Sequence, residues 1–193
     1  MPISKIRPIR SYVLRQGRLT KHQAEGVKSL SPLYAISFGD NILNWDAIFN
    51  RQGKRIIEIG FGMGHTTAEI AETLSDSNFI AIDVHSPGVG NLLNKIKEKN
   101  LKNLKIIQHD AVEVLEKMIQ DESLDAVHIF FPDPWHKKRH NKRRLIQESF
   151  LELISRKLKK EGYIHIATDW EDYANWIIEI FKKNTIYKSK NMD

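Results

Sequence analysis

From about residue 53 onward, short apolar runs rich in β-branched residues alternate with segments of helical periodicity. Continuous apolar runs are typical of strands buried on both faces, and such strands occur in parallel sheets covered by helices. The alternation predicts an α/β fold with a doubly wound, mostly parallel sheet of about five strands. The predicted strands cover residues 55–59, 79–84, 104–108, 124–131 and 162–168. The predicted helices cover residues 66–74, 89–99, 112–119, 145–158 and 173–181.

Positive charge is concentrated in two segments of the chain. Residues 5–21 and residues 137–144 each hold six Lys or Arg and no acidic residue. Without these twelve, 18 of the 30 basic residues remain against 24 acidic ones, so the rest of the chain is acidic. One such run could be an ordinary solvated surface. Two acid-free runs in an otherwise acidic chain favour a binding surface for a polyanion such as nucleic acid.

Composition also divides the chain and excludes some chemistry. Residues 1–28 are predicted to be a basic N-terminal arm, mobile without a partner, and residues 29–193 the folded domain. The absence of cysteine excludes disulfides and thiolate nucleophiles. No apolar run has the length of a membrane span or of a signal-peptide core, so a cytoplasmic protein is expected. The histidines form no metal-binding motif, so no metal is expected. The sequence leaves monomer and homodimer open.

A glycine-rich turn follows the first predicted strand. Its three glycines (Gly60, Gly62 and Gly64) would let a ligand approach the backbone at the carboxyl end of the sheet. Asp83 ends the second strand, where a carboxylate can bind the hydroxyls of a ribose. NAD and S-adenosylmethionine sites share these features.

Two details separate the two cofactors. The dinucleotide fingerprint has its third glycine where His65 stands here, and Glu58 before the turn would repel a pyrophosphate. The same carboxylate suits the ammonium group of S-adenosylmethionine, which is the favoured cofactor, with NAD as the lesser alternative. Asp110, after the third strand, could accept a hydrogen bond from the adenine amino group. It could instead serve only as a helix N-cap.

The fourth predicted strand runs into the segment Phe131-Pro132-Asp133-Pro134-Trp135, and the basic run 137–144 follows directly. Two prolines restrict the backbone around Asp133, so its carboxylate is expected to be held rigidly at the strand end. Trp135 could offer a stacking surface for a base, or it could be part of the core or a lid. An acid, an aromatic ring and a phosphate-attracting run together indicate a site that acts on a nucleobase.

Together with residues 10–18, 58–64, 85–90 and 167–171, this segment resembles bacterial tRNA (guanine-N7-)-methyltransferases over residues 7–180. The Pro-Asp-Pro-Trp segment and its basic tail are highly specific to that family. The resemblance implies a Rossmann-like fold and transfer of a methyl group from S-adenosyl-L-methionine to N7 of a guanosine in the variable loop of tRNA.

Residue roles follow from the matching motifs. The resemblance implies cofactor contacts for Glu58, Asp83, Asp110 and Asp133, and Asp133 would also be catalytic. It implies guanosine contacts for Lys137 and Asp169, to which the stacking interpretation adds Trp135. The implied RNA contacts are Arg139, His140, Asn141, Lys142, Arg143 and Arg144.

The chain departs from the family at its C-terminal end. The family continues with a Thr-x-x-Glu segment and two last strands, and residues 185–188 have Lys where Glu is needed. A C-terminally shortened member lacking these two strands is therefore expected. A catalytically impaired relative that only binds tRNA and cofactor stays open as an alternative.

Overall fold

The structure, a computed structural model, describes residues 10–12 and 17–189. The strands are β1 (Lys54–Ile59), β2 (Ser77–Asp83), β3 (Leu104–Gln108), β4 (Leu124–Phe130) and β5 (Leu158–Ala167). The helices are α1 (Lys21–Tyr34), α2 (Trp45–Phe49), α3 (His65–Thr73), α4 (Ser86–Glu98), α5 (Ala111–Met118), α6 (Glu148–Lys157) and α7 (Glu171–Lys183). A 3₁₀ helix covers Lys138–Arg143. Within the described residues no helix is long and apolar enough to cross a lipid bilayer.

The five strands form one sheet in the order β3-β2-β1-β4-β5, and every neighbouring pair is parallel. Helices cover both faces, so the predicted doubly wound sheet is confirmed. One face packs Ile57, Ile80 and Val127 against α5, α6 and α7. The other packs Ile56 and Phe79 against α1, α3 and α4. The order reverses between β1 and β4, which locates the ligand crevice at their carboxyl ends.

Helix α1 crosses the predicted boundary between arm and domain at residue 28. Thr20 and Gln23 form a capping box at its start, with hydrogen bonds of 3.2 and 2.9 Å. Gly26 lies so close to α4 that an added Cβ would come within 2.5 Å of Asn94 Oδ1. Leu30 is buried in the core beneath the sheet face, Val27 and Tyr34 pack beside it, and the close approach at Gly26 brings this otherwise polar helix against α4. Of the predicted arm, residues 1–28, residues 1–9 and 13–16 lie outside the described residues, and residues 21–28 belong to α1.

Two further boundaries differ from expectation. Helix α4 begins at Ser86, three residues before the predicted start, because Pro87 is accommodated in a first helical turn. Strand β5 begins at Leu158, where the preceding helix was predicted to end. In the described part of the chain, β5 pairs with β4 alone and forms one edge of the sheet.

Candidate active site

The glycine turn after β1 has an open, accessible backbone. Gly60, Gly62 and Gly64 all have positive φ, at 79°, 55° and 70°. Residues with a Cβ rarely adopt this backbone conformation. A Cβ added at Gly60 or Gly62 would meet nothing within 4 Å. The turn therefore leaves space for a ligand to contact the backbone at the start of α3.

Asp83 ties this turn to the second strand. Its Oδ2 accepts a hydrogen bond from the Gly62 backbone N–H at 2.9 Å, and its Oδ1 accepts one from the His85 N–H at 3.0 Å. Each carboxylate oxygen keeps further acceptor capacity. The predicted contact between Asp83 and a ribose is compatible with this geometry and stays a prediction.

Glu58 is buried near the carboxyl end of β1 with half of its carboxylate unsatisfied. Thr67 donates its hydroxyl to Oε1 at 2.9 Å, whereas Oε2 is buried without a hydrogen-bond partner. Burial raises the pKa of Glu58 to about 7; the Thr67 hydrogen bond opposes this shift and the Asp83 charge adds to it. An ammonium group at Oε2 would supply the missing partner and favour the ionised carboxylate. The site thus fits the ammonium end of S-adenosylmethionine.

Replacing Glu58 with Gln is expected to stabilise the ligand-free protein in a pH-dependent manner. The pKa of Glu58 rises on folding from 4.5 to about 7, so the stability linked to its protonation is complete below pH 4.5 and is lost as pH rises through 7. Because Gln stays neutral, the variant should gain up to about 3 kcal/mol over wild type by pH 8 and little at pH 4. Urea unfolding of both proteins across this range measures the difference.

His128 also titrates with folding, because burial and then the His165 charge lower its pKa to about 4. Its contribution is common to both proteins and cancels in the difference. If the free energies of unfolding of wild type and Glu58→Gln changed with pH in parallel, the raised pKa would not belong to Glu58. Binding of S-adenosylhomocysteine should weaken in the variant, since the ammonium loses its charged partner.

Asp110 caps helix α5. Its Oδ1 accepts a hydrogen bond from the Val112 N–H at 2.9 Å, so the N-cap interpretation is confirmed. Tyr12 of the N-terminal segment lies nearby, and burial followed by the Asp110 charge raises the pKa of its phenol. The second oxygen of Asp110 takes no part in the cap, and its contact with an adenine stays a prediction.

The Asp133 loop has an unusual backbone. Phe131 and Trp135, which bracket the two prolines, have φ of 49° and 48°. Non-glycine residues rarely adopt this region, and such conformations cluster at functional sites. The Phe131 N–H still bonds to the Ala167 carbonyl of β5 at 2.8 Å. Asp133 is exposed, and its Oδ1 accepts a hydrogen bond from the Trp135 N–H at 3.0 Å, which fixes the carboxylate in an Asx turn.

Trp135 has partners that the sequence did not predict. Its indole Nε1 donates to the Ser11 carbonyl at 3.0 Å, and the guanidinium carbon of Arg143 lies over the ring at 4.9 Å from the centroid. His140 meets the ring edge-on, with centroids 5.8 Å apart. Arg143 therefore covers one face of the indole. Stacking of the guanosine on Trp135 stays a prediction, limited to the other face.

The basic run divides into exposed and buried members. Lys137, Arg139 and Lys142 are exposed to solvent. Three other residues, His140, Asn141 and Arg143, are partly buried. Arg144 is only 1% exposed, and its guanidinium bonds to Pro134 and Asp172. Burial removes Arg144 from the predicted RNA surface, which is a correction to the sequence analysis.

Asp133, predicted to be catalytic, and Asp169, predicted to contact the guanosine, follow adjacent strands. Asp169 is exposed two residues after β5, and Asp133 follows β4, which pairs with β5 along its length. The rings of His136 and Trp170 meet with centroids 4.1 Å apart and join the two segments. No role was predicted for these two rings, although both lie within the motifs that carry the family resemblance. Among the described residues, no group of three His, Asp or Glu side chains could hold a metal ion.

Comparisons with known proteins agree with this geometry. Residues 52–193 match the model of a family described as "Putative methyltransferase". The tRNA (guanine-N(7)-)-methyltransferase of Methylobacillus flagellatus is 53% identical over 184 residues, covering 95% of this chain and 77% of the relative. That of Chromobacterium violaceum is 53% identical over 178 residues, covering 92% and 79%. The chain belongs to the tRNA (guanine-N7-)-methyltransferase family. It is therefore a methyltransferase, with S-adenosyl-L-methionine as its cofactor.

Solved structures support the fold alone. The precorrin-6y C5,15-methyltransferase of Geobacter metallireducens has a TM-score of 0.54 at 15% identity, covering 91% of this chain and 81% of that one. A 30S ribosomal A1408 methyltransferase from an uncultured bacterium has a TM-score of 0.51 at 22% identity, covering 72% of each chain. At these identities the family assignment depends on the sequence relatives.

Proposed function

We propose that this chain transfers a methyl group from S-adenosylmethionine to N7 of a guanosine in the variable loop of tRNA. The observation that carries the proposal is the exposed Asp133 carboxylate at the end of β4, next to the strand that leads into the glycine turn. The relatives' names supply tRNA and guanine N7 as the expected substrate. A cytoplasmic location follows from the proposed substrate.

The chemistry requires positioning and electrostatics more than proton transfer. When bound, S-adenosylmethionine supplies an electrophilic methyl group on a sulfonium. Guanine N7 attacks with a lone pair and has no proton to lose, so the residues need no general base. Asp133 and Asp169 would stabilise the positive charge that develops on the base. Asp133 could also accept hydrogen bonds from the guanine N1–H and amino group, which would fix the edge of the base that faces the methyl group.

The exposed cations beside Asp133 are suited to the RNA backbone. Lys137, Arg139 and Lys142 lie on the surface in and next to the 3₁₀ helix. The logarithm of the binding constant for tRNA should fall linearly with the logarithm of the salt concentration. Each phosphate that these residues neutralise should add about −0.7 to −0.9 to this log–log salt slope. The guanosine must also be unstacked before N7 is accessible, at a modest energetic cost. Affinity should therefore fall steeply with salt.

Labelled S-adenosylmethionine and unmodified tRNA transcripts test the proposal. The expected result is label at one variable-loop guanosine, with chain cleavage specific for 7-methylguanosine at that position. A transcript with adenosine at that position is the matched control and should accept no label. Label at another position, or on another atom of the base, would overturn the assignment to N7 of the variable loop. Cofactor and tRNA binding without transfer would favour the binding-only alternative.

A further inference from the structure

Arg144 ends a run of surface cations, yet it is one of the most buried large side chains of the domain. Its Nε donates to the carbonyl oxygen of Pro134 at 2.9 Å, and its Nη2 donates to the carboxylate of Asp172. The guanidinium carbon also lies over the rings of Tyr173 and Trp176, 4.9 and 5.2 Å from their centroids. A buried cation with this many partners is held in one geometry.

These partners belong to the two segments that carry the substrate carboxylates. Pro134 directly follows Asp133, and Asp172 lies in the first turn of α7, three residues after Asp169. The Arg144 guanidinium therefore connects the Asp133 loop to α7, the helix that begins two residues after Asp169.

The chain that follows Arg144 reinforces this connection. The Ile146 N–H donates to the Tyr173 hydroxyl at 3.1 Å, and the Trp176 indole donates to the Ile146 carbonyl at 2.8 Å. Both aromatic residues are on α7, so the backbone around Arg144 is fixed to the same helix as its side chain. The guanidinium then has little freedom to leave Pro134.

We propose that Arg144 is a positioning residue, which sets the separation of Asp133 and Asp169 and makes no contact with RNA. The inference depends on the proposed function, since it concerns the two carboxylates that would face the guanosine. The loop needs such an anchor, because the positive φ values of Phe131 and Trp135 persist only where surrounding contacts enforce them. Pro134 can accept a hydrogen bond at its carbonyl but has no N–H to donate, so Arg144 uses the backbone polar group that this residue offers.

Arg144→Lys tests the proposal because it keeps the positive charge but removes the planar guanidinium, which donates to Pro134 and Asp172 at once. A single ammonium cannot reproduce the planar, two-directional donation to Pro134 and Asp172. At saturating tRNA, kcat should fall about 10²-fold, the loss expected from roughly 1 Å of misplacement. The KM for tRNA and the salt slope of binding should stay at wild-type values.

Lys142→Gln is the matched comparison from the exposed part of the same run. It should raise the KM for tRNA and reduce the log–log salt slope by about 0.7–0.9. If Arg144→Lys behaved in this way and kept its kcat, Arg144 would be a phosphate contact and the proposal would be wrong.

Two further measurements cover the remaining outcomes. If Arg144→Lys fails to fold, Asp172→Asn replaces it, since that carboxylate is 70% exposed and its neutral form still weakens the connection. Full kcat in Asp172→Asn would then overturn the proposal.

If wild type forms no 7-methylguanosine, the proposed function fails, and the rate of trypsin cleavage within residues 137–143 tests the positioning role instead. Cleavage should be faster in Arg144→Lys, and equal rates would refute it.

Discussion

Replacing Asp133 with Asn is expected to lower kcat for methylation of tRNA by about 10²–10³-fold, the range found when one preorganised electrostatic group is removed. The substitution keeps the shape of the side chain and the oxygen that accepts the Trp135 N–H, so the loop geometry should persist. It removes the negative charge that would oppose the cationic guanine. It also turns an amide donor toward the N1–H of the base, where an acceptor is needed.

Single-turnover kinetics with variable-loop transcripts measure this effect on the chemical step. Asp40→Asn is the control, because Asp40 is an equally polar surface carboxylate paired with Lys117, outside the site. Its kcat should match wild type. If Asp133→Asn raised KM for tRNA and left kcat unchanged, Asp133 would bind the ground state of the substrate and would not contribute to stabilising the transition state.

The sheet was predictable because its signal is local. Each strand is a short apolar run bounded by turn residues, and burial on both faces requires such a run. β3, over Leu104–Gln108, has the predicted bounds, and the glycine turn and Asp133 lie at the carboxyl ends of adjacent strands, as the βα alternation requires. Topology therefore brought together residues whose sequence separation gives no direct sign of contact.

The features that were missed depend on long-range contacts. Six cations in eight residues look equivalent in sequence. Arg144 differs from the others by its contacts with Asp172, Tyr173 and Trp176, which lie at least 28 residues away. The contact of Arg143 with the Trp135 ring depends on the 3₁₀ helix that ends at Arg143, which has no apolar periodicity to predict it. Helix α1 was missed because its mostly polar composition obscures the few apolar residues, Val27, Leu30 and Tyr34, that pack into the core. Side-chain direction within a charged run is thus the weakest part of a site predicted from sequence.

Replacing Gly88 with Ala is expected to raise the Kd for S-adenosylhomocysteine by about 10²-fold, corresponding to about 3 kcal/mol. Gly88 lies in the first turn of α4, and an added Cβ would come within 1.9 Å of the Gly62 carbonyl oxygen. Real Cβ contacts stay beyond 3.0 Å, so the glycine turn must move by about 1 Å. That movement would also strain the bond between Gly62 and Asp83, which fixes the turn beside β2.

Global stability should change less than cofactor affinity in Gly88→Ala. Overpacking costs about 1–3 kcal/mol, and alanine recovers up to about 1 kcal/mol of helix propensity in α4. Gly90→Ala, in the same helix, is the matched control: its Cβ would meet the Gln23 carbonyl at 2.7 Å, so it disturbs the packing of α1 and not the glycine turn. Isothermal titration and urea unfolding of both variants separate the two effects. Equal losses of cofactor affinity in Gly88→Ala and Gly90→Ala would mean that any disturbance of α4 packing weakens binding. The specific role of the contact between Gly88 and Gly62 would then be refuted.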